Sequence, residues 1–139
     1  MSHLGRPTFN DPQFSLRHIV KKLQDILGVR VLFSTDCVGE KANQLAKELE
    51  PGQVLLLENL RFHKAETSGG LRFAEKLSKL ADFYINDAFG TAHRAHASTT
   101  IVAQFFSNAK CFGFLLAKEI ESIEKVMSSG KKPVLAILG

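Results

Sequence analysis

The stretch that decides the fold is residues 53–86, QVLLLENLRFHKAETSGGLRFAEKLSKLADFYIN. It opens on the continuously apolar Gln53–Leu57, the pattern expected of a parallel strand buried on both faces. A polar loop follows. Gly69-Gly70 then open a predicted helix with Leu71, Phe73, Ala74, Leu77 and Leu80 on its apolar side. Asp82–Asn86 reads as the next strand. Strand, loop, helix and strand in this order form a βαβ unit, in which the strands run parallel and the crossover is right-handed.

The same cycle extends toward the N-terminus. Ser15 is placed to cap a helix whose apolar residues Leu16, Ile19, Val20, Leu23 and Leu27 follow helical spacing, and Gly28 suits its end. Val29–Phe33 reads as a strand, and Gly39–Leu49 as a helix closed by Pro51-Gly52. The repeated alternation predicts an α/β fold, a parallel Rossmann-like sheet with helices on both faces. Beyond Ala97 the rhythm changes. Ser98–Phe106 reads as a short helix, and Phe114–Met127 as a longer one with Leu115, Ile120, Ile123 and Val126 apolar. Ser128–Pro133 is a turn or linker, and Val134–Leu138 begins an apolar strand with no following helix.

Composition narrows the class. The chain has 139 residues, 45% hydrophobic and 23% charged, which fits one ordinary domain and excludes intrinsic disorder. No apolar run approaches the ~20 residues of a membrane span, and no apolar segment after Met1 resembles a signal peptide. A soluble, cytoplasmic protein is expected, with no membrane partner. The net charge of +4 suits a small anionic ligand, but no basic run resembles a nucleic-acid-binding arm. Cys37 and Cys111 lack C-x-x-C spacing and are expected to be reduced core residues.

Ligands of such sheets bind in the loops after strand C-termini. Those loops are Met1–Pro12, Ser34–Val38, Glu58–Gly70 and Asp87–Ala97, and three of the four contain both His and Arg. The first cluster is His3-Leu-Gly-Arg6-Pro, where glycine permits close backbone approach to an anion and proline stiffens the turn. The second is Glu58-Asn-Leu-Arg61-Phe-His63. Arg61 offers a planar fork to a phosphate or carboxylate, or pairs structurally with Glu58 or Glu66. The third is Asn86–Ser98, with Asp87, Gly90, Thr91, His93, Arg94 and His96. There Asp87 is a candidate to orient an imidazole or guanidinium. His93 and His96 are an i, i+3 pair, but Arg94 between them opposes a cation and no fourth ligand stands at zinc-like spacing, so no metal is expected. A Walker-type loop, a G-x-S-x-G elbow and a G-x-G-x-x-G fingerprint are all absent. What remains is a basic, histidine-containing anion pocket on an α/β sheet.

Taken in order, SHLGRP (Ser2–Pro7), LLLENLRFHKAE (Leu55–Glu66), YINDAFGTAHRAHAS (Tyr84–Ser98), LAKEIESI (Leu116–Ile123) and KPVLAILG (Lys132–Gly139) resemble the N-terminal domain of the phosphoglycerate kinase family. The resemblance implies reversible phosphoryl transfer between 1,3-bisphosphoglycerate and ADP, giving 3-phosphoglycerate and ATP in glycolysis. Carried over by motif, it places His3, Leu4, Gly5 and Arg6 at the triose, and Arg61 and Arg94 on its 3-phosphate with His93 alongside. It implies Mg-ATP or ADP as the co-substrate of the complete enzyme, held by a second domain, and a monomer.

The resemblance also implies boundaries. Residues 1–112 correspond to the 3-phosphoglycerate-binding domain without its first strand, an R-V-D-x-N-V-P run expected upstream of Met1. Residues 113–128 correspond to the interdomain hinge helix, and 129–139 to a linker and the first strand of the nucleotide domain. A complete family member has about four hundred residues, so the chain matches roughly a third of one. The nucleotide-contacting lysine would follow Gly139. This polypeptide is therefore expected to be inactive alone. The rival reading is a non-catalytic α/β anion-binding or scaffold module.

Overall fold

Ser15 starts the first helical segment, accepting a hydrogen bond at Oγ from the Arg17 N–H (3.2 Å). A 3₁₀ turn, Leu16–Ile19, runs into α1 (Val20–Leu27), which Gly28 ends at φ 67°, donating its N–H to Gln24 O at 2.9 Å. Glycine takes this left-handed conformation without steric cost. There follow β1 (Val31–Ser34), α2 (Glu40–Lys47), β2 (Val54–Leu57), the single turn α3 (Lys64–Thr67), α4 (Leu71–Ser78), β3 (Tyr84–Asn86), β4 (Lys110–Phe112) and α5 (Phe114–Ser129). The structure, a computed structural model, describes residues 1–130, 132–135 and 137.

All strand pairing among the described residues is parallel. β1 pairs with β2 from Val31↔Val54 to Ser34↔Leu57, and β3 pairs with β4 from Tyr84↔Lys110 to Asn86↔Phe112. The α/β reading with parallel strands therefore holds, but hydrogen bonding divides the strands into two pairs rather than one sheet. A cavity of about 360 Å³ has Leu55 and Leu57 of β2 and Tyr84 and Ile85 of β3 in its walls. Side-chain alternation along β2 gives the β1–β2 pair two covered faces. Leu56 packs with Leu16, Val31, Val20 and Leu23 on the α1 side. Leu57 packs with Cys37, Ala42, Leu60, Phe73, Leu77, Tyr84 and Val102 on the other, in a cluster that joins the two strand pairs. Each such buried side chain contributes about 1.5–3 kcal/mol.

Several expectations need correction. Only Leu56 and Leu57 of the predicted β2 run are buried; Val54 and Leu55 are half-buried, and Leu55 lines the cavity of about 360 Å³. Leu71 is exposed, because α4 turns only Phe73, Ala74 and Leu77 inward. The helix expected over Ser98–Phe106 is a π turn, Ala97–Ile101, followed by a 3₁₀ turn, Val102–Phe105. Strand β4 has no counterpart in the sequence reading: it is three residues long and exposed throughout, so it carries no burial pattern. On α5 the buried residue is Leu116, while Leu115, Ile123 and Val126 are exposed. Cys37 is fully buried but Cys111, on β4, is exposed, which removes it from the core; both are free. Val134, Leu135 and Ile137 are exposed and belong to no strand; Ala136, Leu138 and Gly139 of the predicted apolar strand lie outside the described residues.

Candidate functional site: a cationic cleft built by three loops

The cleft begins with Asn59, two residues after β2 and fully buried. Its Nδ2 donates to Leu4 O (2.8 Å) and Phe14 O (2.9 Å), and its Oδ1 accepts from the Arg61 N–H (3.0 Å). Leu60 N donates to Ser2 O at 3.2 Å. One side chain and one backbone bond thus fix the His3–Arg6 loop against the Arg61 loop. Glu58 anchors the same corner, accepting from Ser15 Oγ (2.7 Å), Leu16 N (2.8 Å) and Asn59 N (2.7 Å). Gly5 is required here by conformation and space. Its φ is 62°, and a Cβ would stand 2.6 Å from the Phe14 ring.

The third loop is held from behind. Glu66, buried on α3, accepts from Ser98 N (3.0 Å) and Ser98 Oγ (2.6 Å). Tyr84 Oη lies within hydrogen-bonding reach of Ser98 O (2.9 Å) and Thr99 O (3.0 Å). These bonds seat the π turn whose Thr100 Oγ1 donates to Arg94 O at 3.1 Å.

Together the loops enclose a cleft of about 190 Å³ lined by His3, Gly5, Arg6, Arg61, Gly90, Thr91 and Arg94. No carboxylate is in its walls. The Arg61 Nε is buried and has no hydrogen-bond partner among the described residues. Its proposed structural partners are engaged elsewhere, Glu58 with Ser15, Leu16 and Asn59, and Glu66 with Ser98. An unpartnered buried guanidinium N–H is costly unless an acceptor meets it.

The histidines divide. His3 lines the cleft, and burial, then the Arg61 charge, hold its pKa below the ordinary 6.5. His96 is 5% exposed, and its pKa is lowered by burial, then by Arg61, Arg94 and His93. Neighbouring guanidinium groups oppose a second positive charge, so the cleft's permanent charge is arginine. His93 is outside the lining, and its Nε2 accepts from Arg94 Nε (3.1 Å). His63 turns away, 3.2 Å from Asp36 and against the Phe73 ring. Leu4 is outside the lining too, and contributes its carbonyl to Asn59. Among the described residues Asp87 bonds no imidazole or guanidinium; its Oδ1 accepts from Leu116 N (2.9 Å) in the first turn of α5. Among the described residues no three His, Cys, Asp or Glu side chains gather as a metal site.

The sequence places Gly90 and Thr91 in the third loop as turn residues without singling them out as cleft lining, and does not reveal the positioning contacts of Asn59 and Glu66. Gly90 and Thr91 sit in a 3₁₀ turn, Phe89–Thr91, that composition alone reads as an ordinary bend. Asn59 and Glu66 act through partners dozens of residues away, beyond any local signal.

Fold and cleft define an α/β domain with a small cleft lined by three arginines, two of them in loops that follow its strands. The family model described as phosphoglycerate kinase matches residues 1–139. The chain is similar to the phosphoglycerate kinase of Porphyromonas gingivalis, with 45% identity covering 99% of this chain and 39% of that protein. It is 48% identical to that of Aquifex aeolicus over 100% of this chain and 35% of that one. Among solved structures, the Coxiella burnetii phosphoglycerate kinase superposes with a TM-score of 0.77 at 35% identity, covering 95% of this chain and 32% of that chain. The chain belongs to the phosphoglycerate kinase family, and the reading as a non-catalytic α/β anion-binding or scaffold module is not favoured. It spans roughly a third of the length of these relatives.

Proposed function

We propose that the cleft binds the phosphate-bearing end of 3-phosphoglycerate or 1,3-bisphosphoglycerate, as the triose-binding part of a phosphoglycerate kinase. The observation that carries this reading is the convergence of Arg6, Arg61 and Arg94 from three loops on one cleft with no carboxylate in its walls. A small polyanion supplies the counter-charge, and forked guanidinium groups from different loops match its oxygens. In this reading Arg61 and Arg94 grip the 3-phosphate, His3 and Arg6 meet the triose, and His93 fixes Arg94 through its Nε. Leu4 and Gly5 serve through the backbone they hold in place.

Transfer itself requires positioning and neutralisation of the migrating phosphoryl group. The cleft supplies positioning of one substrate only. Its lining of cations, glycines and Thr91 offers no apolar wall for a purine and no carboxylate for Mg²⁺, so we assign the Mg-ATP or ADP site to the part of such an enzyme beyond these residues. By the same reasoning 1–112 are the triose-binding unit, 113–128 a hinge helix and 129–139 a linker into the nucleotide-binding unit. The whole enzyme works in the cytoplasm as a monomer. The 139-residue chain alone makes no ATP from 1,3-bisphosphoglycerate and ADP.

Calorimetric titration with 3-phosphoglycerate at low salt tests the assignment. Arg61→Ala and Arg94→Ala each remove hydrogen bonds to a charged group, about 1.5–3 kcal/mol, so each weakens binding by roughly ten- to a hundredfold, with little change in melting. Lowered melting with no ligand effect would instead make these arginines loop scaffolding.

A further inference from the structure

Behind the cleft lies a second cavity of about 290 Å³ that shares His3, Gly90 and Thr91 with it, and Glu66 is in its wall. A carboxylate in the neighbouring cavity would weaken an anion site if it faced the ligand. Glu66 does not line the cleft. It is 3% exposed and spends both oxygens on Ser98, one on the backbone N–H and one on the hydroxyl. Ser98 lies in the π turn, where His96 O accepts from the N–H groups of Thr100 (3.1 Å) and Ile101 (3.3 Å). From that turn Thr100 Oγ1 returns to Arg94 O. A continuous path of short bonds therefore runs from α3 to the backbone of Arg94. A close contact reinforces it: Gly69, at φ 67°, backs onto the Arg94 loop, and a Cβ there would stand 2.6 Å from Ala95 O.

We propose that Glu66 is a positioning residue for the anion site, setting the placement of Arg94 relative to Arg61 through Ser98. The inference rests on the cleft being the anion site. Glu66 sits five residues after Arg61 on the same loop, so the strut fixes the spacing between the two guanidinium groups.

The test is a double-mutant cycle on the 139-residue chain, titrated with 3-phosphoglycerate well below its melting temperature. Glu66→Ala is expected to weaken binding about tenfold or more, and Arg94→Ala to cost little further in that background, since residues acting through one another are non-additive. Glu66→Gln, whose amide can still bond Ser98, is expected to bind within about threefold of the parent. Full additivity of Glu66→Ala with Arg94→Ala, or unchanged affinity in Glu66→Ala, overturns the proposal. Should Glu66→Ala not fold, Ser98→Ala removes the hydroxyl bond alone, and unchanged affinity there overturns it equally. If the parent binds no 3-phosphoglycerate, the reading of the cleft fails while Glu66 is still judged by amide exchange. Loss of protection confined to residues 94–98 in Glu66→Ala supports the strut, and retained protection overturns it.

Discussion

Gly5 carries two constraints at one position, a φ of 62° and the Phe14 ring against its α-carbon. Left-handed backbone costs a residue with a Cβ about 1–2 kcal/mol, and the ring must also move. Gly5→Ala should therefore lower stability in urea unfolding by more than that amount and displace His3 and Arg6 from the cleft. The sequence points to this glycine for access to an anion, and its conformation and its contact with Phe14 are further requirements that only the structure reveals. His3 and His96 make a different prediction. Their native pKa values lie below 6.5, so the unfolded chain takes up protons that the native chain refuses. Their contribution to stability is complete above about pH 6.5 and is lost as pH falls through that value toward the lowered native pKa. Unfolding midpoints should drop between pH 7.5 and 5.5, and His96→Gln should flatten that slope. Cys37, with burial pushing its thiol up to about 12 and its Sγ donating to Glu58 O at 2.9 Å, should stay unmodified by iodoacetamide in the native state while Cys111 reacts.

Around the cleft, carboxylates join one element to the next. Glu58 holds the N–H groups of Leu16 and Asn59 and the Ser15 hydroxyl, so Glu58→Ala strands several donors at about 1–3 kcal/mol apiece. A loss of roughly 3 kcal/mol in chemical denaturation is expected. Asp87 satisfies Leu116 N, one of the first-turn donors that α5 cannot pair internally. Asp87→Ala should cost about 1 kcal/mol and show as faster amide exchange at the start of α5. These contacts explain what local pattern could not reveal. Periodicity located α1, α2, α4 and α5 because each has an apolar face, and Gly28 marked an end by its conformation. β4 lacked such a signal, being short and exposed, and the π turn imitates a helix in its apolar spacing. Glu58 and Glu66 look like ordinary solvated loop charges until Ser15, Leu16 and Ser98 arrive from distant sequence to meet them.

At the scale of the whole molecule, the parallel α/β architecture and the location of the cleft followed from the alternation of strands and helices, since loops after parallel strands converge at one end. The division into two hydrogen-bonded pairs was not legible, because pairing order depends on which edges meet and not on any one strand's composition. The convergence of His3, Arg6, Arg61 and Arg94 is the claim on which the functional account rests. It is tested most directly by a two-dimensional amide NMR titration of the chain with 3-phosphoglycerate at low salt. A dispersed spectrum is expected, with shifts concentrated at His3–Arg6, Arg61, Gly90, Thr91 and Arg94 that added salt reverses as it screens an ion-dominated site. A dispersed spectrum that the ligand leaves unmoved, or that shifts only at residues remote from the cleft, would contradict it.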